Sequence, residues 1–161
     1  MTTKEYNLIV ENYADRVYRY LVKTIRDSER AHDLVQDSFE KLWRNCAEIS
    51  YSKAKSYLFS IAHNTMVDMI RKENRQIVTD TSEMPEASHS RQYSDIKEIL
   101  DEALKKLPEI QRSVILLRDY EGYSYEEIGE ICSLNESQVK VYIYRARLFL
   151  KNYIGQIEKV I

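Results

Sequence analysis

The sequence predicts an all-α protein: a small N-terminal helical bundle and a small C-terminal helix-turn-helix domain, joined by a flexible linker. Three observations carry that expectation. Apolar residues recur at three- and four-residue steps in both ends of the chain, the repeat of one helix face. Only 3 glycines and 2 prolines occur in 161 residues, too few for a turn-rich all-β protein. Between the periodic ends lies QIVTDTSEMPEASHSRQYS, residues 76–94, which is polar, contains Pro85 and has neither a helical nor a strand period. That composition belongs to a connector. The expected domains are 1–75 and 95–161, with 76–94 between them.

Taken in order, the first helix is expected over about 4–26, with Ile9, Tyr13, Val17, Tyr20, Leu21 and Thr24 on its inner face. Ser28 is placed to cap a second helix over about 29–46, with Glu29 in its first turn. The buried stripe there is Ala31, Leu34, Val35, Ser38, Leu42 and Cys46, flanked by Phe39 and Trp43. Ser52 can cap a third helix over about 53–74, built on Ala54, Leu58, Ile61, Thr65 and Met69 and widened by Tyr57, Ala62 and Ile70.

In the second half, Ile96, Ile99, Leu100, Ala103, Leu104 and Leu107 define a helix that ends before Pro108. Pro108 suits the first turn of the next helix, where a missing N–H is harmless, and Gly122 suits its end. Ser124 and Glu127 form a capping box for a short helix to about Cys132. Ser133, Leu134 and Asn135 then make a tight turn into a longer helix, 136–152, with Asn135 as its cap. A short helix, a three-residue turn and a longer helix make a helix-turn-helix.

That last helix carries SQVKVYIYRARLFLK, residues 137–151, which contains four cations and no acid in a chain of net charge −2. Val139, Ile143, Ala146 and Leu150 form its apolar back, while Lys140, Tyr144, Arg147 and Lys151 follow one residue along, with Arg145 beside them. Long cationic donors on a helix with an apolar back can reach phosphates and base edges. A helix C-terminus also favours cations through its dipole alone. On the third helix, Asn64, Asp68, Arg71 and Arg75 share an outer face with Lys72 beside them. An amide among cations suits recognition of a base, and Tyr51, Tyr57 and Phe59 at its approach could stack on splayed bases. Tyr57 fits the core better than a stacking role, Asp68 could simply pair with Lys72 at i, i+4, and Asn64 could be an ordinary surface residue. The second helix presents Asp33, Gln36, Asp37 and Glu40, a stripe that repels DNA and complements a basic protein surface, or is merely solvated.

Other classes find little support. His32, His63 and His89 sit in three separate segments without metal-ligand spacing, and there is no glycine-rich phosphate loop or G-x-S-x-G. No enzyme activity and no cofactor are expected. No apolar run approaches the roughly 18 residues of a membrane span. The start MTTKEYNLIVENYADR lacks the apolar core of a signal peptide. Cys46 and Cys132 read as core thiols of a reducing compartment, so a cytoplasmic protein without membrane contact is expected.

In order, these pieces resemble the sigma-70 family of the extracytoplasmic-function (ECF) type, over nearly the whole chain except the linker. AHDLVQDSFEKLW (31–43) is similar to the family's polymerase-binding helix, and YLFSIAHNTMVDMIRKENR (57–75) to the helix that reads the −10 element. LPEIQRSVILLRDYEGYSYEEIGEI (107–131) and VKVYIYRAR (139–147) resemble the C-terminal blocks that read the −35 element. The resemblance implies that Asn64 meets a flipped −10 base with Asp68 lining the same region, and that Arg71 and Lys72 meet the opened strand. It implies phosphate contact near the −35 duplex for Arg118, and a place in its major groove for Lys140, Val141, Tyr144, Arg145 and Arg147. Asp33, Gln36, Asp37 and Glu40 would face core RNA polymerase, and an anti-sigma factor would be the regulator. The chain departs from the family at Ser133, where glycine is common, and at Ser137–Gln138, where Gly-Thr is common. It departs again at Val141–Tyr142, where Ser-Arg is common. Val141 offers only an apolar contact, such as one with a thymine methyl. Two other readings stay open at this point: a stand-alone helix-turn-helix repressor or activator, and a protein-interaction adaptor.

Overall fold

The structure, a computed structural model, describes residues 1–77 and 96–160; most of the expected linker lies outside them. Seven α-helices and one π turn make up the regular structure, and no strand occurs among the described residues.

Helix α1 (Thr3–Ile25) opens with a capping box in which Thr2 and Glu5 satisfy each other's backbone N–H, and it ends at Arg26 in the left-handed region. Helix α2 (Ser28–Arg44) is capped by Asp27, whose carboxylate accepts from the Arg30 N–H. The expected cap, Ser28, is instead the first helical residue. Asp27 is the better cap because its charge also complements the N-terminal dipole. Helix α3 (Tyr51–Ile77) begins two residues before the expected start and runs past 75, its first turn closing on the Ser50 carbonyl.

The inner faces of these three helices meet in a core that includes Val17, Leu21, Leu34, Leu42, Leu58 and Met66. Two aromatic expectations reverse. Phe59 is fully buried, whereas Tyr57 is 38% exposed. The inner face of α3 is rotated by about one residue from the expected stripe, so Phe59, Ala62 and Met66 point inward while Ile61 and Met69 lie at its margin.

Helix α4 (Ile96–Lys106) leads to Pro108, which sits just before α5 (Glu109–Ile115) rather than inside its first turn. Its extended backbone still lets its carbonyl accept the first helical bond, from Arg112. The expected single helix to Gly122 is divided: α5 passes into a π turn, Leu116–Tyr120. Gly122 then takes φ +75, the conformation that suits glycine at a helix end. Helix α6 (Tyr125–Cys132) carries the expected Ser124–Glu127 capping box. Helix α7 (Glu136–Val160) runs well beyond the expected end.

Ser133 closes α6 at φ 59 and ψ 47. A Cβ is strained in that conformation, which explains why glycine is the usual choice at such an end. Ser133→Gly is therefore expected to stabilise the protein by about 0.5–1 kcal/mol, the strain relieved less the entropy glycine adds to the unfolded chain. Chemical denaturation of the two proteins measures the difference.

The two halves are packed together. Phe59 lies between Tyr20 of α1, at 5.9 Å, and Tyr123 of the second half, at 5.2 Å. One continuous core therefore runs from α1 to α7. Around it, Arg19 pairs with Glu121 at 2.7 Å, Lys23 with Asp101 at 3.1 Å, and Arg112 donates to the Thr24 carbonyl.

Candidate nucleic-acid interface

The α6–α7 pair is held by local chemistry before any tertiary contact. The Asn135 N–H donates to Gln138 Oε1 at 3.0 Å, and the Gln138 N–H donates to Asn135 Oδ1 at 2.8 Å. This second capping box fixes where α7 begins, and Asn135 is the cap the sequence indicated. Gly129 of α6 lies so close to the turn that a Cβ there would meet the Leu134 carbonyl oxygen at 2.6 Å.

Val139, Ile143 and Ala146 are buried, which sets the rotation of α7. Lys140, Val141, Tyr144 and Arg145 consequently face solvent, with Tyr144 67% exposed. Arg147 is also exposed but is held at 2.7 Å by Asp119 of the π turn, a hydrogen bond that raises its pKa further. Lys140 lies 3.5 Å from Glu136 one turn earlier.

Arg118 is placed by two contacts. It donates to the Tyr123 carbonyl at 2.8 Å, and its guanidinium lies over the Tyr125 ring at 4.6 Å. Lys140 Nζ approaches the same ring at 5.9 Å. Tyr125 thus organises cations from two helical elements. Sequence periodicity did not single it out, because its visible role is to occupy the second position of the capping box.

The second cluster lies on α3. Asn64, Asp68, Arg71 and Lys72 are all exposed. The first three line a cleft of about 560 Å³ whose opposite wall is Glu109, Ile110, Cys132 and Ser133 of the second half. His63 closes its floor, nearly buried, with Nδ1 2.9 Å from the Tyr20 hydroxyl. Burial lowers the His63 pKa to about 4, so the ring is neutral at pH 7. Phe59, expected to stack on bases, is instead part of the seam between the halves; Tyr51 and Tyr57 remain on the surface.

The third cluster is on α2, where Asp33, Gln36, Asp37 and Glu40 are exposed together. Glu40 pairs with Arg44 one turn on. Trp43, expected to flank the buried stripe, is 47% exposed, its ring 4.9 Å from that of Tyr6. Tryptophan is among the residue types enriched at the hot spots of protein interfaces. Helical periodicity alone could not find it, because it falls at the edge of the apolar face.

Among the described residues no helix is long and apolar enough to cross a membrane. Both cysteines are free thiols, and burial pushes Cys132 up to about 12, which leaves it unreactive.

A capped helix-turn-helix with a cationic outer face, a second polar face on α3 and an acidic face on α2 together suit a DNA-binding protein of transcription. The chain belongs to the sigma-70 family of RNA polymerase sigma factors, and to its ECF type. Residues 9–76 match the family model Sigma-70 region 2, and residues 97–150 match Sigma-70, region 4. The chain is 30% identical over 148 residues to the ECF RNA polymerase sigma factor SigM of Bacillus subtilis, covering 89% of this chain and 91% of that one. It is 32% identical over 154 residues to the RNA polymerase sigma factor YlaC of the same organism, covering 89% and 88%. Its structure is similar to that of the sigma factor RpoE in a complex with the anti-sigma factor NepR from Bartonella quintana. That match has a TM-score of 0.82 and 26% identity, and covers 95% of this chain and 98% of that one.

Proposed function

We propose that this sigma factor joins core RNA polymerase through α2, directs it to promoters through α7 and α3, and helps open the −10 region. In this reading residues 1–75 bind polymerase and the −10 element, residues 95–161 bind the −35 element, and 76–94 connect them. The observation that carries it is α7, whose rotation is locked by Val139, Ile143 and Ala146 so that Lys140, Val141, Tyr144 and Arg145 face outward together.

Arg145 and Lys140 supply the charge-assisted contacts to phosphate and base edge, and Val141 and Tyr144 the apolar ones. Arg118 and Arg147 are pre-positioned by the Tyr123 carbonyl and by Asp119, so they meet phosphate without ordering a free side chain. Tyr125 supports Arg118 and Lys140 from beneath. On α3, Asn64 can both donate to and accept from an unstacked base, with Asp68 beside it, while Arg71 and Lys72 hold the separated strand. Each base-pair step opened costs about 1.4 kcal/mol of stacking, which captured bases offset without nucleotide hydrolysis. Asp33, Gln36, Asp37 and Glu40, with Trp43 as apolar anchor, form the polymerase-facing surface. The protein performs no catalysis of its own in this reading. An anti-sigma factor is its expected regulator, as in the complex of the RpoE relative.

Lys140→Ala combined with Arg145→Ala is expected to weaken promoter binding by the holoenzyme roughly tenfold or more and to lower its salt slope by about two. Reconstituted run-off transcription across a salt series measures both. Wild-type activity and slope in the double variant would refute the role given to α7. A duplex that the protein binds tightly without polymerase would favour a stand-alone repressor or activator instead.

A further inference from the structure

The outward face of α7 is apolar along its centre and cationic along its flanks. Val139, Ile143 and Ala146 are buried in the core, and Tyr142 leans back against it. At about 100° per residue, the line opposite that core runs through Ser137, Val141, Tyr144 and Leu148. All four are exposed, Val141 by 44%, Tyr144 by 67% and Leu148 by 45%. Lys140 and Arg145 lie about 70° to either side of the line.

Several polar side chains of this helix are engaged within the protein. Gln138 Oε1 accepts from the Asn135 N–H at 3.0 Å, which closes the helix cap. Glu136 lies 3.5 Å from Lys140, and Arg147 is held by Asp119 at 2.7 Å. Of the four residues on the line, only Ser137 and the Tyr144 hydroxyl can form hydrogen bonds.

We infer that α7 reads methyl groups: Val141 and Tyr144 select a −35 element that carries thymine at neighbouring base pairs. The inference rests on the reading of α7 as the −35 helix and adds the chemistry that helix selects. Thymine places its C5 methyl in the major groove, where an apolar side chain tells it from the other bases. A hydrogen-bonding base edge set against Val141 would lose water without gaining a partner, so such pairs are disfavoured there.

The spacing suits adjacent pairs. Val141 and Tyr144 are about 4.5 Å apart along the helix axis, near the roughly 3.4 Å step of a DNA strand. The flanking charge makes duplex DNA the occupant rather than a protein. Lys140 and Arg145 straddle the apolar line as phosphate walls straddle a groove, and no acid interrupts residues 137–151.

The test uses holoenzyme assembled from the full chain and core polymerase, with duplexes randomised over the whole promoter length. The upstream element of the enriched duplexes is expected to hold neighbouring A·T pairs. That element is then made with deoxyuridine for thymidine, which removes the methyl group and nothing else. Affinity is expected to fall about fourfold for each contacted methyl removed. Val141→Ser is expected to abolish the response to uracil at one position, and Tyr144→Ala at the neighbouring one. Both side chains are on the surface, so neither substitution opens the core. An element without neighbouring A·T pairs, uracil duplexes bound as tightly as thymine ones, or responses unchanged in both variants would each overturn the inference. So would weaker binding of core polymerase by the two variants with uracil making no difference, which would make the line a protein contact. Lys140→Ala with Arg145→Ala keeps the two readings apart. Wild-type affinity of that double variant for the thymine duplex would overturn the −35 reading and the inference with it. Weakened binding together with indifference to uracil would overturn the inference alone.

Discussion

Gly129→Val is expected to destabilise the second half by about 2–3 kcal/mol and to abolish promoter-specific transcription with it. The reason is backbone, not side chain. A Cβ at this position would already lie 2.6 Å from the Leu134 carbonyl oxygen, and the next nearest side chain is Val139 at 3.8 Å. The obstructing atom belongs to the turn between α6 and α7, so relief requires that turn to move. The turn is held by Ser133 in the left-handed region, the Leu134 N–H bonded to the Gly129 carbonyl, and the Asn135–Gln138 box. Moving it would change the angle at which α7 leaves α6 and carry Lys140 and Arg145 off their face. Gly129→Ala sets the same Cβ against the same carbonyl, so it too requires the turn to move and is expected to cost about 2 kcal/mol, the two methyl groups of valine adding the rest. Thermal unfolding and run-off transcription of the two variants provide the measurement. An unchanged unfolding midpoint for the valine variant would show that the turn yields freely.

The local elements of this protein are legible in its sequence because they depend on near neighbours. The Ser124–Glu127 box, the Asn135 cap and the Gly122 terminator each need only a few residues, and each stands where the sequence places it. The rotation of α7 was equally readable, since one apolar stripe leaves one answer. Boundaries failed where two residues competed for one job. Asp27 and Ser28 can both cap a helix, and the choice falls to the charged one. The rotation of α3 failed for a different reason. Phe59 is buried because a third surface, Tyr123 from a region more than sixty residues away, covers it. A helix with two buried faces has no single stripe to detect.

The site residues divide in the same way. Those exposed on one helix, such as Asn64, Arg71, Lys140 and Arg145, are visible as patterns. Tyr125, Trp43 and Glu121 are not, because their settings are made by partners on other elements. The charge distribution gains a second meaning from this. A net charge of −2 goes with cations concentrated on α7 and the end of α3, acids on α2, and Arg16 and Arg19 on α1, which pair with Glu121 of the second half. Positive charge on α1 serves the fold, so it must be subtracted before the DNA-facing charge is judged.

Acid is expected to undo the first bundle through His63. The ring is packed between α1 and α3 against the Tyr20 hydroxyl, and burial alone lowers its pKa from 6.5 to about 4. The folded state therefore keeps it neutral where the unfolded chain protonates. The unfolded state binds the extra proton between those two values, so stability is full above pH 6.5 and declines as pH falls toward 4. At about 1.36 kcal/mol per unit, the loss amounts to about 3 kcal/mol. Asp68 and Glu109 line the same cleft, so the His63→Gln variant is needed to assign the slope to the ring. His63→Gln removes the titration while offering Tyr20 an amide partner. Urea denaturation from pH 7 to 4 is expected to show a steeper fall for wild type, with the difference accumulating below pH 6.5. Parallel curves would refute the assignment. Because Asn64 follows His63 on the same helix turn, protonation there strains the segment that presents the proposed −10 face, and open-complex formation is expected to decline over the same pH interval.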